Sequence, residues 1–210
     1  MATSLAKENI LRKIRQALSN PVPLPFAIQD SAHLSVFKNP SEDDAVLFAE
    51  NFKKIQGKFS FCKSEADLLN QLSVLLQSKK WEKVFCKEDA LTSLLQKINQ
   101  NNYIDLASCD VSITGCEYLV ARTGTIVMST AQQSGRTTSV YAPVHICIAY
   151  TNQLVFDLKD ALSFLKTKYN NNFPSLITFA SGPSRTADIE KTLVTGVHGP
   201  KEVYCFLVES

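Results

Sequence analysis

Residues 59–98 read FSFCKSEADLLNQLSVLLQSKKWEKVFCKEDALTSLLQKI. Positions 59–62 have the length and apolar, aromatic content of a short strand. Ser64-Glu65-Ala66-Asp67 carries the pattern of a capping box and opens a helix with Leu68, Leu69, Leu72, Leu75 and Leu76 on one face. Val84-Phe85-Cys86 is a second strand, and Leu91, Leu94, Leu95 and Ile98 mark a second helix. Strands separated by helices need crossover connections, which give a largely parallel sheet buried on both faces. Upstream, Ala45, Phe48, Ala49, Phe52 and Ile55 form a helical stripe, and Gly57 is expected to stop it as the C′ residue. Downstream the chain turns strand-rich. Apolar, often β-branched runs stand at 111–114, 124–129, 144–150, 176–180 and 203–208. Helices are expected at 157–167 and 186–193, the latter ended by Gly196. The expected fold class is α/β: a three-layer sandwich with a mostly parallel central sheet.

The chain has 210 residues, 45% hydrophobic and 20% charged, enough to bury a sizeable core. Lys+Arg 22 against Asp+Glu 20 leaves a net charge of +2, too balanced for a protein devoted to nucleic acid. Mean hydropathy is −0.04, and no apolar run approaches the ~20 residues of a bilayer span. The first residues, MATSLAKENILRKIRQAL, interrupt their apolar positions with charge, so they lack a secretory h-region and the expected location is the cytoplasm. Ile10, Leu11, Ile14, Ala17 and Leu18 recur at helical spacing, and Pro21, Pro23 and Pro25 then forbid helix. Residues 1–40 therefore read as an amphipathic helix with a proline-containing arm, suited to docking on the body or on a second subunit rather than to membrane-surface binding, since the helix lacks Trp and Phe. Residues 41–210 read as the α/β domain. Six cysteines occur with no CxxC-type spacing, so they read as reduced thiols in strands and core, and no metal or other cofactor is expected.

Four segments could carry chemistry. Ser175–Glu190 runs from strand through Ser181, Gly182, Ser184, Arg185 and Thr186 into the expected helix, a junction that an open α/β sheet places at the carboxyl edge of its strands. There a guanidinium, hydroxyls and backbone amides could hold a carboxylate or phosphate; the same residues also suit an ordinary helix start. Thr123-Gly124-Thr125 precedes a strand, so it shares a pocket with the first segment only if the two strands run antiparallel or a loop folds over. Arg136, among hydroxyls in 134–139, is a second anion clamp or an exposed loop arginine. His198 and Gly199, in Thr195-Gly196-Val197-His198-Gly199-Pro200, give a proton carrier or a solvated turn. Glu117 is a candidate nucleophile or base. His145, inside an apolar strand, reads as core or pocket floor. GxSxG, GxGxxG and GxxxxGK[ST] are absent, which removes the usual support for hydrolase, dinucleotide and NTPase readings.

Ala121-Arg122-Thr123-Gly124-Thr125, Gly135-Arg136, Pro143-Val144-His145, SGPSRTADIE at 181–190 and GVHGP at 196–200 together resemble the LUD (lactate-utilisation) domain family of the LutC/YkgG type. The resemblance covers residues 41–210, with the N-terminal helix matching in layout. Arg122 stands where many relatives carry an acid, so no role of that acid transfers. The resemblance implies a fold of the NagB/RpiA/CoA-transferase group. It also implies a part in oxidising L-lactate to pyruvate beside iron–sulfur partner proteins; the charge balance and the short apolar runs argue against nucleic acid and membrane insertion, and homo-oligomerisation stays open. Three readings follow: a non-redox subunit binding a small anion, a self-sufficient enzyme on acyl, CoA-linked or phosphorylated substrates, and a pure assembly subunit.

Overall fold

A computed structural model describes residues 5–19, 43–186 and 194–210. The chain divides into two compact units, Met1–Asn39 and Pro40–Ser210. Within the first, helix α1 (Leu5–Ser19) leaves Ile10, Leu11 and Ile14 exposed. The expected proline arm lies outside the described residues.

The second unit opens with α2 (Asp44–Lys54), whose Asp43 side chain accepts from the Ala45 amide. The chain then alternates as the leucine spacing predicts: β1 (Lys58–Cys62), α3 (Glu65–Lys79), β2 (Val84–Cys86), α4 (Asp89–Lys97) and β3 (Val111–Thr114). Ser64 caps α3 by accepting from the Asp67 amide, while the Asp67 carboxylate reaches back one residue further, to the Lys63 amide. Gln56, not Gly57, takes the left-handed position after α2 (φ 67°). Gly57 is needed for a different reason: a Cβ there would run into the Phe52 ring.

Next come β4 (Tyr118–Val120), β5 (Thr125–Ser129), α5 (Thr138–Tyr141), β6 (Val144–Tyr150), β7 (Leu154–Val155), α6 (Leu158–Tyr169), β8 (Ile177–Ala180), β9 (Arg185–Thr186), β10 (Val194–Thr195) and β11 (Glu202–Val208). Five strands form a fully parallel sheet in the order β1-β11-β6-β3-β2. One face packs on α3 and α4 through Leu68, Leu72, Leu91, Leu95, Ile146 and Phe206. The other face meets α2 and a second, mixed sheet, ordered β7-β4-β5-β8, through Phe48, Phe52, Leu119, Ile126, Cys147 and Cys205. The outer face of that mixed sheet is covered by α6, with Ala161 and Leu165 against Val120 and Val127. The α/β class and the mostly parallel central sheet are therefore as expected.

The helix expected at 186–193 is corrected at its start. Thr186 lies in β9, paired antiparallel with β10. Residues 187–193 lie outside the described residues.

Candidate functional site

Two of the four segments meet because β5 and β8 run antiparallel. Their register pairs Ile126 with Ala180, so the turn before β5 meets the turn after β8. Hydroxyls of Thr123, Thr125 and Ser181 form a chain with both O···O separations at 2.8 Å. This junction rests on the C-terminal half of α2. The Asn51 amide group donates to the Ala121 and Arg122 carbonyls at 3.0 and 3.1 Å. A Cβ on Gly124 (φ 61°) would meet the Phe52 amide nitrogen at 2.5 Å, and one on Gly182 (φ 82°) would collide with the Ile55 carbonyl oxygen. These glycines serve close backbone approach. Arg185 donates to the Ile55 carbonyl, the residue that ends α2, so its guanidinium caps that helix.

The expected carboxyl-edge location is corrected too. Strand β8 belongs to the mixed sheet, so the Ser181–Arg185 turn does not stand at the carboxyl edge of the parallel one. Arg136 is placed elsewhere again. It donates to Ser175 Oγ at 2.7 Å, beside the Ser129–Ile177 end of the same strand pair. About four residue steps of ~3.3 Å separate that end from Thr125 and Ser181. The two arginines do not converge.

The turn after β8 leads instead to His198. The Ser184 amide donates to the Pro200 carbonyl, and the Gly196 amide to the Ser184 carbonyl, both at 2.9 Å. Gly199 is packed against Ser184, whose Cβ would stand 3.0 Å from an added methyl. These bonds hold the Gly196–Pro200 turn beside the short helix α5. Between them lies an open cleft of about 440 Å³ lined by Val140, Tyr141, Pro143, Gly196, Val197, His198, Gly199 and Lys201. Its walls are the segments that lead into β6 and β11. Those strands are parallel and paired from Val144↔Glu202 onward, so the cleft sits at the amino edge of the parallel sheet. The Lys201 amide donates to the Pro143 carbonyl at 2.7 Å and ties the two leading segments together.

The cleft holds two basic side chains, His198 and Lys201, and no carboxylate among its described lining. Neither makes an ion pair with an acid of the described residues. Lys201 lays its stem along Gly196, where a Cβ would collide with it. Lys201 and Tyr141 were missed from the sequence. The available signal was positional: each stands just before a strand, and neighbouring parallel strands bring the loops before them together.

Glu117 and His145 are both interior. Glu117 is 3% exposed and has donors on both oxygens: Ser129 and Tyr169 on Oε1 at 2.5 and 2.7 Å, Lys168 on Oε2 at 2.8 Å. Burial pushes its carboxyl up, but these bonds outweigh that and hold it below the usual range. An attacking carboxylate needs an oxygen open to substrate, and both of these are engaged. The other buried acid, Asp157, caps α6 and pairs with Arg122. His145 lies between the sheets, 1% exposed, with Nε2 2.8 Å from Thr114 Oγ1; burial lowers its pKa to about 4. All six cysteines are free and buried. Among the described residues no group of three or more His, Cys, Asp or Glu could hold a metal ion, and no helix is long and apolar enough to cross a membrane.

Comparison with known proteins fits this architecture. The chain is similar to Lactate utilization protein C of Halalkalibacterium halodurans, 38% identical over 101 residues, 47% of this chain and 44% of the relative. It is also similar to Lactate utilization protein C of Bacillus subtilis, 32% identical over 111 residues, 52% and 46% respectively. The matches thus span about half the length of these relatives, or less. A crystal structure of a DUF162 family protein from Deinococcus radiodurans superposes with a TM-score of 0.61 at 17% identity, over 80% of this chain and 99% of that one, and shares the fold. The LUD domain itself matches residues 46–208, from the first turn of α2 to the last residue of β11, and the chain belongs to that family.

Proposed function

We propose that this chain is a non-redox subunit of a cytoplasmic system that oxidises L-lactate to pyruvate, and that it holds a small anionic ligand in the cleft between α5 and the Gly196–Lys201 segment. The observation that carries the ligand reading is the pairing of His198 with Lys201 in a cleft whose described lining contains no acid. An anion there gains charge-assisted hydrogen bonds, worth roughly 1.5–3 kcal/mol each. The place in lactate oxidation rests on the family and on relatives called Lactate utilization protein C. On this reading the electrons pass through iron–sulfur partner proteins, and this chain supplies binding and assembly.

Calorimetric titration of the purified chain with L-lactate, pyruvate and inorganic phosphate tests the ligand. At least one should bind, and Lys201→Ala should weaken it about tenfold or more, in line with the loss of one charged hydrogen bond. Affinity unmoved by Lys201→Ala, or no binding of any of the three, would remove the cleft from the proposal. Arg185→Ala is the contrasting variant. Because Arg185 caps α2, it should lower the melting temperature and leave affinity intact.

A further inference from the structure

The cleft is larger than a three-carbon acid requires. Its volume of about 440 Å³ falls in the range of sites that enclose whole cofactor-sized molecules. Two large side chains of its lining are left exposed: Tyr141 at 67%, from α5, and Val197 at 51%, from the Gly196–Pro200 turn. Apolar surface left open in the lining of one cleft marks a place for a flat apolar body. The two basic groups, His198 and Lys201, line the same space. The fold does not need Tyr141 for packing: α5 and the residue after it are anchored through Thr138 and Ala142, both 1% exposed.

Resting on the anion reading above, we infer that the ligand of this cleft is a planar ring joined to an anionic group, of the size and class of a nucleoside monophosphate. The ring lies between the Tyr141 face and Val197, and the phosphate meets His198 and Lys201. Ring and anion bind as two separable parts, because they are met by different side chains. Tyr141 should therefore govern the ring alone, and Lys201 the anion alone.

The experiment titrates the full-length protein with adenosine monophosphate, ribose 5-phosphate, adenosine and L-lactate. Adenosine monophosphate should bind about tenfold more tightly than ribose 5-phosphate, the increment a base gains on an aromatic platform. Tyr141→Ala should abolish that difference while leaving ribose 5-phosphate unchanged, and Tyr141→Phe should keep it. Lys201→Ala should weaken both phosphates alike and leave adenosine unmoved. Equal binding of the two phosphates, binding of L-lactate alone, or equal weakening of both phosphates by Tyr141→Ala would overturn the ring inference and leave the anion site standing. If none of the anions binds, both fall together. Tyr141 is mostly exposed, so its variants should fold, and an unchanged melting temperature verifies that.

Discussion

His145 is a residue whose charge the fold disfavours. It lies between two sheets, its ring 1% exposed and bonded through Nε2 to Thr114 Oγ1. Burial lowers its pKa from 6.5 to about 4, so the folded protein keeps it neutral while the unfolded chain protonates it near its ordinary value. The unfolded state then binds more protons as the solution is acidified, and stability falls with pH. The stability tied to this histidine is fully present above pH ~6.5 and is lost progressively toward pH ~4, in total roughly 3 kcal/mol at 1.36 kcal/mol per pKa unit. Glu117 acts in a lower window, since a depressed carboxyl loses its contribution only as pH falls through its own titration. Urea midpoints at pH 7.5 and 5.0 separate the two. The wild type should lose stability between these values, and His145→Asn should lose markedly less. An identical loss in both proteins would place the acid-sensitive group elsewhere.

At the scale of elements, the legible part of the fold was the part built from local units. Strand, helix and strand follow one another at short spacing over β1-α3-β2-α4-β3, so period and capping declare them. The mixed sheet was not legible. Its β4 and β7 have three and two residues, too short for a period to show, and β5 finds β8 across about fifty residues of chain. That pairing decided which of the motif turns meet. It joined the Thr123–Thr125 and Ser181 turns, the condition the sequence could state but not resolve, and seated both on α2. The motif glycines thereby acquired a packing reason that no motif reading could supply. Gly124 and Gly135 give the test, since both adopt positive φ (61° and 68°) but only Gly124 is pressed against another backbone. Gly135→Ala should cost about 1 kcal/mol, the strain of a left-handed alanine alone. Gly124→Ala adds a clash with α2 that cannot relax without moving the helix, and should cost about 3 kcal/mol or more by chemical denaturation. Equal costs would mean that α2 yields freely, and that its docking on the turn is loose.

For the unit of residues 40–210 as a whole, the order of strands sets the order in which the interior can be reached. The parallel sheet runs β1-β11-β6-β3-β2, so β11 and β6 are interior strands while β1 and β2 are edges. Each of those four strands carries a buried cysteine: Cys205, Cys147, Cys62 and Cys86, all at most 2% exposed. Burial raises the Cys62 thiol to about 11 and moves Cys86 the same way, and at Cys147 the lowering contact with Cys116 is outweighed by the Cys205 thiol and by burial, so little thiolate exists at these three while the protein stays closed. Modification must therefore wait for opening, and its rate reports which opening suffices. Cys147 and Cys205 lie in register on adjoining strands, covered by α2 and the mixed sheet, and should react only through global unfolding. Cys86 sits on a three-residue edge strand held by one neighbour and by the Asn102 side chain, so partial opening should expose it sooner. Pulsed alkylation with peptide-resolved mass spectrometry at low urea should find Cys86 modified before Cys147 and Cys205, whose two rates should coincide and follow the global unfolding free energy. If the central pair instead reacted first, the mixed sheet would have to lift from the parallel sheet as a separate layer, and the inter-sheet core of Phe48, Phe52 and Ile126 would be the weakest seam of the fold rather than its centre.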